Sequence, residues 1–254
     1  MDIQQKIALV TGGSRGLGRN MAVALAKKNI DVVLTYNSNK DGADDVVREL
    51  QSMGRKAIAF QLDTRNINSF DAFFKDVTAW LSAEYGKATF DFLVNNAGTA
   101  LHVPATEVTE QQMDDTFDIH YKGVFFLTQK ALSFLNDGGG IINLSTGLAR
   151  MTMPNYSVYA SLKAAVETLS RYLAKELGPR KIRVNVVAPG AIETDFAGGF
   201  VRDNKALNQQ IASATALGRV GVPDDIGGVV AFLCTEDARW INGQRIEVSG
   251  GQAL

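Results

Sequence analysis

The chain has 254 residues with 26 basic and 27 acidic side chains, a formal net charge of −1, and 46 % hydrophobic residues. A chain of this length buries a sizeable core and suits a single α/β domain over 1–254, while a dispersed, near-zero charge excludes the electrostatic footprint of a nucleic-acid or anionic-membrane binder. One cysteine, Cys234, excludes an intrachain disulfide and a multi-cysteine zinc site, and its apolar surroundings read as those of a buried, inert thiol. Met1 to Lys6 lacks a basic region followed by a long apolar one, and no stretch has the ~18 uninterrupted apolar residues of a membrane span. The expectation is a cytoplasmic protein without membrane or nucleic-acid partners.

The first predicted strand, Lys6 to Val10, runs directly into Thr11-Gly12-Gly13-Ser14-Arg15-Gly16-Leu17-Gly18, and a helical pattern follows through Lys28. Strand, glycine-rich turn and helix make a phosphate cradle, because the glycines permit close approach and the helix's free amides and positive end face the anion. Gly12, Ser14, Arg15, Gly16, Leu17 and Gly18 are therefore candidate cofactor contacts, although their spacing departs from G-x-G-x-x-G. The second strand, Asp31 to Thr35, ends at Tyr36-Asn37-Ser38-Asn39-Lys40. In a dinucleotide-binding fold an acid at this point holds the adenosine ribose and repels a 2′-phosphate. None is present. Arg15, with Asn37 and Ser38 beside Tyr36, suits that phosphate instead, so NADP(H) is expected over NAD(H).

A helix from Asp41 to Met53 leads to a strand from Ala57 to Leu62 that finishes in Asp63-Thr64, a polar pair suited to an adenine edge or to capping the next helix. In the helical stretch from Asn68 to Glu84, Phe70, Phe73, Phe74, Val77 and Leu81 form a core stripe. The strand from Phe90 to Val94 ends in Asn95-Asn96-Ala97-Gly98, where side-chain amides can pin neighbouring strands and glycine admits a ligand. Beyond a loop containing His102, the pattern predicts a helix from Glu110 to Leu135 carrying His120, then a Gly138-Gly139-Gly140 turn opening a strand from Ile141 to Leu144 that ends in Ser145-Thr146.

The next helix, from Ser157 to Leu177, sets the Tyr159 phenol and the Lys163 ammonium one turn apart on the same face, a spacing suited to proton transfer. A strand from Arg183 to Val187 leads into Pro189-Gly190-Ala191-Ile192-Glu193-Thr194. Each ligand-like cluster follows a strand, as in open α/β sheets, and the unbroken strand-helix alternation predicts one doubly wound parallel sheet.

Thr11-Gly12-x-x-x-Gly16-x-Gly18, Asn95-Asn96-Ala97-Gly98, Tyr159-x-x-x-Lys163 and Pro189-Gly190, in this order, resemble the short-chain dehydrogenase/reductase family. Its 3-oxoacyl-acyl-carrier-protein-reductase-like and glucose-dehydrogenase-like members are the nearest in pattern. The resemblance covers essentially the whole chain and implies a Rossmann-type doubly wound parallel sheet with helices on both faces. It also implies that Tyr159 exchanges a proton with a carbonyl or alcohol oxygen, and that Lys163 lowers the tyrosine's pKa and holds the nicotinamide ribose. Asn95, Ala97, Gly98, Pro189, Gly190, Ile192 and Thr194 would contact the cofactor, without metal.

Two departures stand out. The family's substrate-orienting serine lies thirteen residues before the tyrosine, where this chain has Thr146; Ser145 is the alternative, since alternation along a strand lets only one of the two face the site. The family's relay asparagine is replaced by His120, which serves a proton relay or simply packs under the site. The segment 195–217 is where the family varies its substrate lid, and homotetramer assembly is likewise implied by the resemblance. The expected activity is NADP-dependent reduction of a small-molecule carbonyl or oxidation of a secondary alcohol, with a 3-oxoacyl thioester among the candidates. A cofactor sensor or scaffold with little catalysis is the alternative.

Overall fold

Along β1 (Lys6–Val10), Ile7 and Leu9 pack into one apolar cluster and Ala8 and Val10 into another, and none of the four has exposed surface. A strand buried on both sides belongs inside a parallel sheet covered by helices on each face. The computed structural model describes residues 5–254 and places β1 in such a sheet. Its other strands are β2 (Ile30–Tyr36), β3 (Ala57–Gln61), β4 (Phe90–Asn95), β5 (Leu135–Leu144), β6 (Arg183–Pro189) and β7 (Arg245–Val248). All pair in parallel, in the order β3-β2-β1-β4-β5-β6-β7.

The helices are α1 (Gly16–Lys27), α2 (Lys40–Ser52), α3 (Phe70–Tyr85), α4 (Glu110–Phe117), α5 (Gly123–Ala131), α6 (Ser157–Glu176), α7 (Phe200–Asp203), α8 (Lys205–Ser213) and α9 (Asp224–Leu233). Met21 and Leu25 of α1, Val46 and Leu50 of α2, and Ile226 and Val230 of α9 cover one face of the sheet, and buried Cys234 joins them. Phe70, Phe74 and Leu81 of α3, Leu127 of α5, and Leu169 and Leu173 of α6 cover the other. The expected phenylalanine stripe of α3 is buried throughout. The strand order reverses between β1 and β4, and such a reversal opens a crevice at the strands' carboxyl ends.

Two expected boundaries differ. The helix predicted from Glu110 to Leu135 is three pieces, because a π-helical turn over Asp118–Lys122 separates α4 from α5, which stops at Ala131. Gly123 ends that turn where a Cβ would stand 2.2 Å from the Thr64 carbonyl oxygen, so the chain is pressed against the end of β3 and widens its coil. Leu135 already belongs to β5, paired with Phe90 and buried in the second core, and the three glycines lie inside that strand. They form an irregularity beside Asp91, whose carbonyl oxygen would be 2.2 Å from a Cβ on Gly139.

Candidate active site

A single cavity of about 460 Å³ runs across the carboxyl ends of the central strands. At one end lies the turn between β1 and α1. The first turn of α1 carries no acidic residue and no side-chain cap, so its free N–H groups are open to an anion. Gly18 is needed there, since a Cβ would fall 2.0 Å from the Gly12 carbonyl oxygen. Gly12, Ser14, Arg15, Gly16, Leu17 and Gly18 all line the cavity, and exposed Arg15 has no carboxylate within ion-pair distance among the described residues. Asn37 and Ser38 line it as well. Tyr36 does not: its ring packs against the α1–α2 side of the core, and the lining residue from the end of β2 is Thr35, whose hydroxyl accepts a hydrogen bond from Gly12 N at 3.2 Å.

Asp63 and Thr64 reach the same wall. A two-pronged pair with Arg65 at 2.7 Å lowers the Asp63 pKa and fixes its carboxylate. The asparagines that follow β4 divide their work. Asn95, expected at the cofactor, instead turns into the core, where its Nδ2 donates to Asn143 Oδ1 at 2.8 Å and Thr128 Oγ1 at 3.0 Å. Asn143 passes the chain on to Ser170 Oγ of α6 at 2.8 Å, so this line of polar side chains ties β4, β5 and α6 together below the cavity. Asn96, Ala97 and Gly98 line the cavity, and Asn96 Nδ2 clamps the phosphate turn through the carbonyl oxygens of Thr11 and Gly12 at 2.8 and 3.2 Å.

At the opposite end lie the residues of the expected chemistry. Tyr159 and Lys163 sit one turn apart on the buried face of α6. Burial pushes the Tyr159 phenol well above its ordinary value and holds it protonated, while hydrogen bonding to the Thr146 side chain pulls the other way. Lys163 Nζ donates to the Leu144 carbonyl oxygen at 2.8 Å and lies 5.9 Å from the tyrosine ring centroid, so its hydrogen bond goes to the strand end and not to the phenol. Burial lowers its pKa to about 8.

Alternation at the end of β5 separates the two hydroxyls as expected for a strand. Thr146 turns toward Tyr159 and accepts from Leu148 N at 3.2 Å, whereas Ser145 donates to Glu167 Oε1 at 2.6 Å, behind the site. His120, on the π-helical turn, is 1 % exposed and stands edge-on to Tyr159 with ring centroids 5.1 Å apart. Its Nε2 lies 2.7 Å from the Thr99 carbonyl oxygen and donates to it, leaving Nδ1 as a buried acceptor without a protein partner among the described residues. Burial, reinforced by the charge of Lys163, lowers the His120 pKa to about 3, so the ring is neutral.

Pro189, Gly190, Ile192 and Thr194 complete the near wall. Gln252, which the sequence reading passed over, is part of it: the chain end folds back so that its Oε1 accepts from Ala191 N at 2.9 Å. Met151, Met153 and Tyr156, which the sequence did not mark, line the end beyond Tyr159 together with His102 and with Phe196 and Phe200 of the expected lid segment 195–217. No local pattern marks Met151, Met153 or Tyr156, whereas the aromatic content of the segment 195–217, which contains α7 and α8, signals Phe196 and Phe200. A phosphate cradle, an acid held protonated and a hydroxyl beside it thus open on one space large enough for a dinucleotide's reactive end and a substrate.

A family model described as Enoyl-(Acyl carrier protein) reductase matches residues 12–253. The hydroxynaphthalene reductase-like protein Arp2 of Metarhizium brunneum is 38 % identical over 257 residues, covering 97 % of this chain and 94 % of that protein. Among solved structures, the promiscuous reductase LugOII, which catalyses keto-reduction at C1 during lugdunomycin biosynthesis, is similar with a TM-score of 0.94 and 37 % identity over 100 % of both chains. The angucycline C-6 ketoreductase LanV with bound NADP is similar with a TM-score of 0.92 and 36 % identity, over 98 % of this chain and 96 % of that one.

Proposed function

The chain belongs to the short-chain dehydrogenase/reductase family, and we propose that it is an NADPH-dependent ketoreductase. The observation that carries this reading is the position of a buried, protonated phenol, Tyr159, with the Thr146 hydroxyl against it, in the same cavity that begins at the uncapped end of α1. When bound, the cofactor supplies the hydride. The cradle fits it because Gly18 lets the first turn of α1 pack against the Gly12 carbonyl oxygen with its uncapped N–H groups free for an anion, and Arg15 with Asn37 and Ser38 offers a cation and neutral donors for a 2′-phosphate where an acid would repel it. The NADP held by LanV supports the same choice.

Thr146 orients the substrate's carbonyl oxygen, and Tyr159 donates its proton to that oxygen as negative charge develops there. Lys163 holds the ribose side of the pocket and supplies positive charge once Tyr159 ionises. His120 buttresses the tyrosine ring. A phenol kept protonated by burial suits reduction better than alcohol oxidation, which needs phenolate at the outset. A 3-oxoacyl thioester is less well supported than a cyclic ketone, because the relatives named above are hydroxynaphthalene-type and keto-reducing enzymes. Assembly as a homotetramer is part of the reading, and sedimentation velocity tests it.

The test is NADPH consumption against a panel of ketones and an acetoacetyl thioester, with Tyr159→Phe alongside. Tyr159→Phe should lower kcat by about 10²–10⁴-fold while NADPH binding persists. NADPH binding with no ketone turned over would replace this reading with that of a cofactor sensor.

A further inference from the structure

Resting on the ketoreductase reading, we infer that the far end of the cavity is a collar of aromatic rings that selects a flat, hydroxylated aromatic ketone, with His102 as the residue that reads the hydroxyl. Five rings follow one another at contact distance. Phe200 and His102 have centroids 6.3 Å apart, His102 and Tyr156 4.7 Å, Tyr156 and Tyr159 6.3 Å, and Tyr159 and Phe196 6.2 Å. Between the two ends of that row the backbone turns sharply: Ala197, Gly198 and Gly199 take φ of +54°, +69° and +79° in succession. A left-handed alanine is strained, and here it brings Phe196 and Phe200 to the same cavity and closes the row around the tyrosine phenol.

Phe196 and Phe200 are 45 % and 46 % exposed, a large apolar area on a ring of side chains that the protein itself leaves uncovered. A planar aromatic substrate covers several ring faces and edges at once, whereas a flexible acyl chain covers few of them. Besides the catalytic phenol, the row carries two polar tips, the Tyr156 hydroxyl and the His102 imidazole, and among the described residues only the imidazole is fixed in orientation by a hydrogen bond. It is held from its own loop's neighbour: Asn155 Nδ2 donates to His102 Nε2 at 3.3 Å, and Val103 N donates to the Asn155 carbonyl oxygen at 2.9 Å. Asn155 takes φ of +72° to do so. With Nε2 accepting, Nδ1 carries the ring proton and is the donor left for an oxygen on the substrate.

The experiment compares kcat/KM for a hydroxytetralone, the parent tetralone and an acetoacetyl thioester in the wild type and in His102→Phe and Phe200→Ala. The wild type should prefer the hydroxytetralone to both others. His102→Phe keeps an aromatic ring and should erase about tenfold of the preference for the hydroxylated ketone over its parent, and Phe200→Ala should raise KM for both tetralones about tenfold without changing it for the thioester. A wild type that prefers the thioester, or a hydroxyl preference untouched by His102→Phe, overturns the collar and leaves the ketoreductase reading standing. NADPH binding without reduction of any of the three overturns both.

Discussion

The carboxylate of Glu167 and the guanidinium of Arg245 meet at 2.7 Å behind the strand end that presents Thr146, with side chains only 13 % and 21 % exposed. Arg245 also donates to the Thr146 carbonyl oxygen at 3.2 Å and to Glu247 Oε2 at 2.9 Å, while Ser145 donates to the same Glu167 oxygen. Arg150 then joins Glu247 to the carbonyl oxygens of Gln252 and Ala253. The network therefore fixes both the backbone that carries Thr146 and the chain end that carries Gln252.

Removing one partner of a largely buried pair leaves the other charge uncompensated, so Arg245→Met should destabilise the protein by about 3 kcal/mol. Arg245→Met combined with Glu167→Leu should recover much of that stability but not kcat, because Thr146 still loses the group that holds its carbonyl. Urea midpoints together with steady-state kinetics check this; kcat recovering along with stability would show that the network matters to folding alone.

Arg15 stands at the mouth of the phosphate cradle with no carboxylate at ion-pair distance among the described residues. Arg15→Ala should weaken NADPH binding about tenfold and leave NADH nearly unchanged, since a charge-assisted hydrogen bond to a phosphate is worth about 1.5 kcal/mol or more. Titration of both cofactors by fluorescence measures it. Equal losses for the two would assign Arg15 to the shared pyrophosphate.

What could be read from the sequence was what depends on short spacing. The cradle is one turn, and Tyr159 with Lys163 is one helical step, so both spacings are visible locally, while the pair takes its chemical meaning from the other motifs along the chain. Features set by distant neighbours were hidden. The helix break at Asp118–Lys122 depends on the carbonyl of Thr64 lying against Gly123, and the inward turn of Asn95 depends on Asn143 and Thr128. Choosing Thr146 over Ser145 required knowing that Glu167 and Arg245 lie behind the strand. The aromatic collar draws on residues 102, 156, 159, 196 and 200, which no periodicity connects.

Gly98 and His120 form a coupled pair, because a Cβ on Gly98 would lie 2.6 Å from His120 Cε1. Gly98→Ala should therefore cost about 1–3 kcal/mol and displace the ring that backs Tyr159. Asparagine at position 120 is smaller, so adding His120→Asn should relieve most of that cost, giving a double-mutant coupling of at least about 1 kcal/mol. His120→Asn alone should keep substantial turnover. Additive destabilisation would mean that the glycine is needed for its backbone alone, and a loss of turnover as large as that of Tyr159→Phe would make His120 essential.

The buried imidazole also makes stability depend on pH in a window of its own. With its pKa lowered to about 3 by burial and by Lys163, His120 stays neutral in the folded state while the unfolded chain takes up a proton near the ordinary value of about 6.5. The unfolded state thus binds more protons below that value, and stability falls as pH drops from about 6.5 toward 3. Glu247 and Asp225, whose pKa values their arginine partners lower to about 2, lose their contributions mainly below pH ~4.5. Between pH 6.5 and 5 the histidine therefore dominates, and as the unfolded chain's imidazole goes from half to almost fully protonated the loss amounts to about 1.5 kcal/mol. Urea unfolding at pH 6.5 and pH 5 should show the wild type losing about that much more than His120→Asn. Parallel losses in the two proteins would mean that the folded state admits a proton or water to His120 Nδ1, and the imidazole would then be a titrating relay rather than a neutral wall behind Tyr159.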